Sequence, residues 1–319
     1  MKKQPLEKQF IDEISQGNFE EGLELLPTLD ELTEPVRSVL SNAAYDANLA
    51  AYAFMLFLLT KTRAISIYQE ACFMAQMSIN YLNGAYESSA HHARMAFEAS
   101  LPQNPIIGGT LLCLYILPEQ PISTAEAVYV AKKILAVEPE NDRVKEILQE
   151  ALSRADEPVA PPRNERDQLE RLIRQGLFTK AKELLPSLST RELHEILIYL
   201  GCEERNLCAY TFIWFLMQEQ EAAELHYIAY RIITLAWPPL NMKGCHATGA
   251  FHLRRAMHLD SANIKYAEHF LMLHTPPPHP SNVINDEVAE SIARRTLSLE
   301  AGVFSAAAKR VLRSLGKTE

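Results

Sequence analysis

The chain contains the same pattern twice, about 160 residues apart. Gln16–Leu29, QGNFEEGLELLPTL, matches Gln175–Leu188, QGLFTKAKELLPSL, and Asn48–Leu58 matches Asn206–Leu216. A third block consists of three matched pairs: His92 with His252, Arg94 with Arg254 and Ala96 with Ala256. The offset stays between 158 and 160 residues through all three blocks. Such constancy indicates an internal duplication, so a length that allows two domains predicts two copies of one unit.

A proline-rich segment separates the two copies. Residues 155–166 read ADEPVAPPRNER, and the three prolines in this segment disfavour helix and stiffen the chain. We therefore predict an N-terminal helical domain over residues 1–154, a linker over residues 155–166 and a C-terminal helical domain over residues 167–319.

A shorter period runs within each copy. Turn-like points lie near Gly17, Ala50, Gly84 and Glu119 in the first copy, and near Gly176, Ala209, Gly244 and His279 in the second. Their spacing is 33 to 35 residues, which fits two antiparallel helices joined by a tight turn in each period. Glycine is scarce, and no stretch alternates as a strand would, so we expect an all-α chain.

Three of these turns carry a further pattern, in which a turn glycine is followed by an aromatic residue and then by a small one. The three sets are Gly17, Phe19 and Gly22; Gly84, Tyr86 and Ser89; and Gly176, Phe178 and Ala181. At the fourth turn, His246 follows Gly244 where an aromatic residue is expected. With the period of about 34 residues, this pattern resembles the tetratricopeptide repeat family.

The resemblance implies a right-handed α-solenoid of stacked helical hairpins in two homologous halves, about four hairpins in each. Small residues such as Ala127 would let two helices approach closely where they cross. Ser123, with Glu126 three residues later, has the form of a helix capping box. The resemblance concerns a fold and specifies no chemistry.

The longest apolar stretch, Leu49 to Leu59, is too short to span a bilayer and is expected to form a buried helix. Seven aromatic residues lie in this stretch and its counterpart, and we expect all of them in the core: Tyr52, Phe54, Phe57, Tyr210, Phe212, Trp214 and Phe215. The N-terminus shows no apolar run of the kind that a signal peptide has, so we expect a cytoplasmic protein without membrane contact.

Charge differs between the two copies. The chain has a net charge of −9, of which residues 1–160 contribute −10 and residues 161–319 contribute +1. An acidic first copy disfavours nucleic acid and favours a protein or peptide partner with a basic surface. The alternative is an acidic surface that only keeps the protein soluble.

Cysteine and histidine give little sign of a metal site. The five cysteines form no C-x-x-C pair, and we expect them to be reduced, small core residues. Eight of the ten histidines lie between His194 and His279, but His246, His252 and His258 are six apart and cannot converge on one ion from one helix. Of His91 and His92, one is expected to face solvent.

No phosphate-binding loop, dinucleotide-binding turn or nucleophile elbow occurs, so we expect no cofactor and no enzymatic activity. The leading hypothesis is a binding scaffold, in one version an inhibitor or immunity protein and in another a regulatory adaptor. The alternatives are an enzyme or metal-binding protein that uses the histidine-rich copy, and a structural assembly subunit. The repeat register places six candidate partner-binding residues on or near the concave face: Tyr81, Tyr199, Arg231, Asn241, Tyr266 and His269.

Overall fold

The computed structural model describes residues 5–29, 31–100, 104–154, 161–237, 242–274, 284–299 and 305–317. Within these ranges the chain is all-helical and contains no strand; a single isolated bridge pairs Asn48 with Lys243. No helix in the described part is long and apolar enough to cross a membrane. The all-α prediction is therefore confirmed for the described residues. Most of the predicted linker lies outside them.

The helices up to residue 154 are α1 (Leu6–Ser15), α2 (Phe19–Glu24), α3 (Glu34–Tyr45), α4 (Leu49–Lys61), α5 (Ile65–Phe73), α6 (Ala85–Ala99), α7 (Pro105–Tyr115), α8 (Thr124–Val137) and α9 (Asp142–Ser153). The helices after residue 160 are α10 (Glu165–Arg174), α11 (Phe178–Glu183), α12 (Thr190–Ile198), α13 (Leu207–Met217), α14 (Ala223–Leu235), α15 (Cys245–Leu259), α16 (Ile264–Met272), α17 (Asp286–Leu299) and α18 (Ser305–Ser314). A π-helical turn follows α5 at Met74–Ser78, and another follows α12 at Tyr199–Glu203.

Helices α4 and α13 form the centre of the molecule. Every residue from Leu49 to Leu59 is buried, as the sequence predicts, and so are the seven aromatic residues expected in the core. The two helices contact each other directly: the Tyr52 hydroxyl lies 3.1 Å from the Thr211 hydroxyl, and the rings of Phe57 and Trp214 pack edge to face. Because both helices are apolar on all sides, neither can face solvent, and other helices surround them.

The predicted turn glycines adopt backbone conformations that favour glycine. Gly17, Gly84, Gly176 and Gly244 all have a positive φ, between 64° and 77°. Each also lies against the opposite copy: a Cβ added at Gly17 would overlap the Ala247 carbonyl oxygen, and one added at Gly176 would overlap that of Glu87. These positions therefore require glycine for their φ and for the close approach of another backbone.

The contacts between residues 1–154 and residues 161–319 are reciprocal. The Leu49 amide donates to the Lys243 carbonyl at 3.0 Å, and the Leu207 amide donates to the Asn83 carbonyl at 2.7 Å. In the same way, the Arg254 guanidinium donates to the Gly17 carbonyl and the Arg94 guanidinium donates to the Gly176 carbonyl. We call this contact region the seam. One continuous hydrophobic core extends across it, from Phe10 to Phe251.

Three local expectations are wrong. His91 and His92 are both buried, because α5 and α13 pack against α6 and leave neither ring facing solvent. Cys113 is exposed rather than a core residue, although all five cysteines are unpaired. Ser123 caps α8 by accepting from the Glu126 amide at 3.2 Å, but the Glu126 carboxylate binds Arg94 instead of completing a capping box.

Replacing Ala127 with leucine is expected to destabilise the protein by about 1–3 kcal/mol. Ala127 is fully buried on α8, where a larger side chain would push neighbouring helices apart. Thermal melting of Ala127→Leu would be compared with Ala125→Leu, two residues earlier on the exposed side of the helix. Equal melting temperatures for the two variants would show that the helix crossing is not at Ala127.

Candidate functional site

A groove of about 680 Å³ lies where α6, the segment before α8 and the start of α8 face the turn between α10 and α11. Its walls come from both sides of the seam, and we call it the seam groove. The lining residues are Glu87, His91, Arg94, Met95, Glu98, Glu119, Gln120, Pro121, Ser123, Ala125, Glu126, Tyr129, Gln175, Gly176, Leu177, Phe178, Thr179 and Lys180. This volume lies in the usual range of ligand-binding pockets.

Arg94 fixes the walls of the seam groove in place. Its guanidinium forms a bidentate ion pair with Glu126, at 2.6 and 2.9 Å. It also donates to the carbonyl oxygens of Pro121, at 2.9 Å, and Gly176, at 3.2 Å. Arg94 thus holds α6, α8 and the α10–α11 turn together. Because its charge is already compensated by Glu126, it leaves the other carboxylates of the groove unbalanced.

Three carboxylates in the groove have no ion pair within the described part of the chain: Glu87, Glu98 and Glu119. Burial raises the pKa of the Glu87 carboxyl, and the negative charge of Glu119 adds to this shift. Apart from Arg94, the only basic residue that lines the groove is Lys180, as far as the described residues extend. The groove therefore has an excess of negative charge in a partly desolvated position, which favours a cationic ligand.

His91 adds an unusual polar group to the wall of this groove. Its ring is buried and packs on Phe178, with the ring centroids 4.3 Å apart, and on the edge of Phe215. Its Nε2 atom is buried and makes no hydrogen bond. Burial lowers the pKa of this imidazole well below its ordinary value, so the ring is neutral near pH 7.

The corresponding positions of the second copy lack these groups. At the offset of 160 residues, Ala247 stands opposite Glu87 and Phe251 stands opposite His91. The packing is alike, because Phe251 lies 4.5 Å from Phe19 just as His91 lies 4.3 Å from Phe178. The carboxylate and the imidazole are thus additions to a position that packs well with alanine and phenylalanine.

Three of the predicted partner-binding residues lie in one cluster on α14 and α16. His269 accepts from or donates to the Tyr227 hydroxyl at 2.9 Å, and the Tyr266 hydroxyl donates to Glu224 at 3.3 Å. Arg231 lies 3.2 Å from His194, whose other ring nitrogen is 3.1 Å from Glu224. Tyr266 is only 2% exposed, so its hydroxyl is satisfied internally, the core placement that competes with a binding role.

The other predicted residues lie apart from this cluster. Tyr81 is 55% exposed beside the π-helical turn that follows α5, and Tyr199 is 42% exposed at the start of the turn that follows α12. Asn241 and the proline-rich loop at residues 275–281 lie outside the described residues.

The histidine-rich copy forms a buried chain of hydrogen bonds. Glu221 lies 2.8 Å from His226 Nε2, His226 Nδ1 lies 2.8 Å from His252 Nδ1, and His252 Nε2 lies 3.0 Å from the Tyr210 hydroxyl. A hydrogen bond from His226 lowers the pKa of Glu221, so this carboxylate is ionised and His226 donates to it. His226 Nδ1 must then accept from His252, which in turn accepts from Tyr210.

In the described residues no group of three or more histidine, cysteine or acidic side chains is placed to hold a metal ion. Within that part of the chain, the structure therefore offers no observation in favour of the metal-binding alternative.

Sequence reasoning missed the seam groove. Glu87 and His91 were not singled out, and Glu119 was noted only as a turn. One signal was present, since the internal alignment puts His91 opposite Phe251, a polar residue at a position that otherwise takes an aromatic core residue. The groove itself depends on contacts between residues more than 80 positions apart, such as Arg94 with Gly176.

A search of protein-family models found none that matches this sequence, and a search of curated proteins found no match either. The evidence on function therefore comes from the fold and from the groove: an all-helical protein with an acidic cleft at an internal seam.

Proposed function

We propose that this protein is a non-enzymatic binding scaffold whose seam groove holds a basic segment of a partner protein. The observation that carries the proposal is the set of carboxylates Glu87, Glu98 and Glu119, which line one groove without a cationic partner in the described residues. A carboxylate that is partly removed from water is destabilised until an opposite charge reaches it. A lysine or arginine side chain of a partner provides that charge.

Shape and location support the same proposal. The groove is long enough for a peptide segment, and the exposed ring of Tyr129 lies at its edge. Tyrosine often anchors an interface because it combines a large apolar area with a hydroxyl group. The net charge of −10 in residues 1–160 would also attract a basic partner over a longer distance.

The fold would serve this function as a tetratricopeptide-like scaffold. We propose that residues 1–154 and 167–319 are homologous halves, each a right-handed stack of hairpins. The matching boundaries of α4 with α13 and of α6 with α15, together with the reciprocal seam contacts, support this view. Stacked hairpins present extended surfaces that suit protein segments. In a cytoplasmic setting, either an immunity protein that covers a basic toxin or a regulatory adaptor would use such a groove.

A basic nonapeptide of alternating arginine and serine is expected to bind the protein, and an acidic nonapeptide of alternating glutamate and serine is not. In the double variant Glu87→Gln/Glu119→Gln, the affinity for the basic peptide should fall at least about tenfold, because two partly desolvated charges are lost. Isothermal titration calorimetry at low salt would measure both. Binding should weaken as salt is raised, as expected for charge pairing.

The matched control is Glu24→Gln/Glu146→Gln, which removes two exposed carboxylates from the same half and so changes the net charge equally. An equal loss of affinity in both double variants would mean that binding reflects overall charge and not the groove. Arg231→Ala and Tyr81→Ala test the concave face that the sequence predicts. If these two variants lose binding while Glu87→Gln/Glu119→Gln retains it, the concave face is the site.

A further inference from the structure

The unpaired imidazole of His91 is the feature of the groove that general acidity does not explain. We propose, on the basis of the proposed function, that His91 Nε2 and the Glu87 carboxylate form a subsite that recognises an arginine side chain of the bound segment. In this subsite Nε2 accepts one guanidinium N–H while Glu87 accepts others. An acidic surface alone would require no buried histidine.

A buried nitrogen without a hydrogen-bond partner destabilises the folded protein, commonly by an amount comparable with a lost hydrogen bond. His91 Nε2 is such an atom, and His91 lines the groove. Two other buried groups of the seam, the hydroxyls of Tyr52 and Thr211, do have partners inside the protein. An unpaired polar atom in the wall of an open groove is the arrangement expected of a group whose partner is a ligand.

The second copy shows that the fold does not need histidine here. Phe251 occupies the corresponding position and makes the same ring contact, with Phe19 in the place of Phe178. Ala247 likewise occupies the position of Glu87, and its backbone carbonyl meets Gly17 as that of Glu87 meets Gly176. Histidine and glutamate therefore stand together, one helical turn apart on α6, only at the copy whose groove has uncompensated carboxylates.

The number and kind of acceptors favour arginine over lysine. Glu87 and Glu119 interact electrostatically, and His91 lies one turn of α6 from Glu87. A guanidinium carries five N–H donors in a fixed plane and can bind a carboxylate and a separate nitrogen at once, whereas an ammonium is a compact charge with strong hydration. The flat ring of His91, backed by Phe178, also suits stacking or edge contact with a planar cation.

The test uses the full chain, the arginine–serine nonapeptide and the same peptide with lysine in place of arginine. The wild-type protein is expected to bind the arginine peptide about tenfold more tightly than the lysine peptide. His91→Phe, which introduces the residue found at position 251, should lose most of this preference while its melting temperature stays equal or rises. Glu87→Ala, which introduces the residue found at position 247, should weaken binding of both peptides.

A direct readout comes from the protein with nitrogen-15-labelled histidine, in which the signals of His91 are identified by their absence from His91→Phe. The Nε2 signal of His91 should shift on addition of the arginine peptide, as a new hydrogen bond forms. The subsite is refuted if the peptide binds in a Glu87-dependent manner but His91→Phe keeps the arginine preference and the Nε2 signal does not move. The proposed function then survives. If neither peptide binds in a Glu87-dependent manner, the proposed function fails and the subsite with it.

Discussion

Lowering the pH from 7.5 to 5.0 is expected to unfold the protein or to bring it close to unfolding. His92 lies fully buried, and burial lowers its pKa from the ordinary 6.5 to about 3. The unfolded chain therefore binds a proton near pH 6.5 that the folded chain refuses. The stability contributed by neutral His92 is fully present above pH 6.5 and is lost as the pH falls from 6.5 towards 3. At pH 5.0 this loss is about 2 kcal/mol from His92 alone.

Three further histidines act in the same direction. Burial lowers the pKa values of His91, His226 and His252, and in His91 and His252 the charge of a neighbouring histidine adds to the effect. Glu87 acts in the opposite direction, because burial raises its pKa. Since domains are commonly stable by only about 5–15 kcal/mol, four buried histidines together can remove much of the stability.

Thermal melting monitored by circular dichroism at pH 7.5, 6.5, 5.5 and 5.0 measures this effect. His91→Phe removes one of the four groups, so its stability should depend less steeply on pH than that of the wild-type protein. His258→Gln, on the exposed end of α15, serves as the matched control and should follow the wild-type curve. A melting temperature that is constant from pH 7.5 to 5.0 would show that these rings are protonated without penalty, and so are not buried as described.

Gly176→Ala is expected to destabilise the protein by about 3 kcal/mol or more. Gly176 has a φ of +64°, which an L-residue rarely adopts, and an added Cβ would overlap the backbone carbonyl oxygen of Glu87. Backbone cannot move aside as a flexible side chain can, so the α10–α11 turn must shift away from α6. The same shift would widen the seam groove and lower the affinity for a basic peptide.

Two other glycines separate the causes of this effect. Gly316 has a φ of +68° with open space around its Cβ position, so Gly316→Ala reports the backbone penalty alone, about 1 kcal/mol. Gly109 lies within α7 with open space, and Gly109→Ala should stabilise the helix by about 0.5–1 kcal/mol. Chemical denaturation of the three variants gives the comparison. A loss at Gly176 no larger than that at Gly316 would mean that the seam does not close tightly at this point.

Sequence periodicity accounts for the elements but not for the groove. The apolar run from Leu49 to Leu59 predicts a helix buried on all sides, and the turn glycines predict where hairpins change direction; both are confirmed by burial and by positive φ. Periodicity reports which face of a helix avoids water, but not which distant helix covers it. The burial of His91 depends on α13, and the groove walls depend on the approach of Gly176 to Glu87. Neither can be derived from spacing along one helix.

The placement of α4 also has a consequence for how the chain is made. Helix α4 is apolar on every side, and much of its cover comes from α13 and α15, which are synthesised about 150 residues later. At a rate of roughly 5–20 residues per second, a nascent chain therefore holds this apolar helix without its cover for about 10–30 s. During that interval the ribosome-bound first half presents a sticky surface that must be shielded, so demand for chaperones during translation follows directly from where α4 lies in the finished protein.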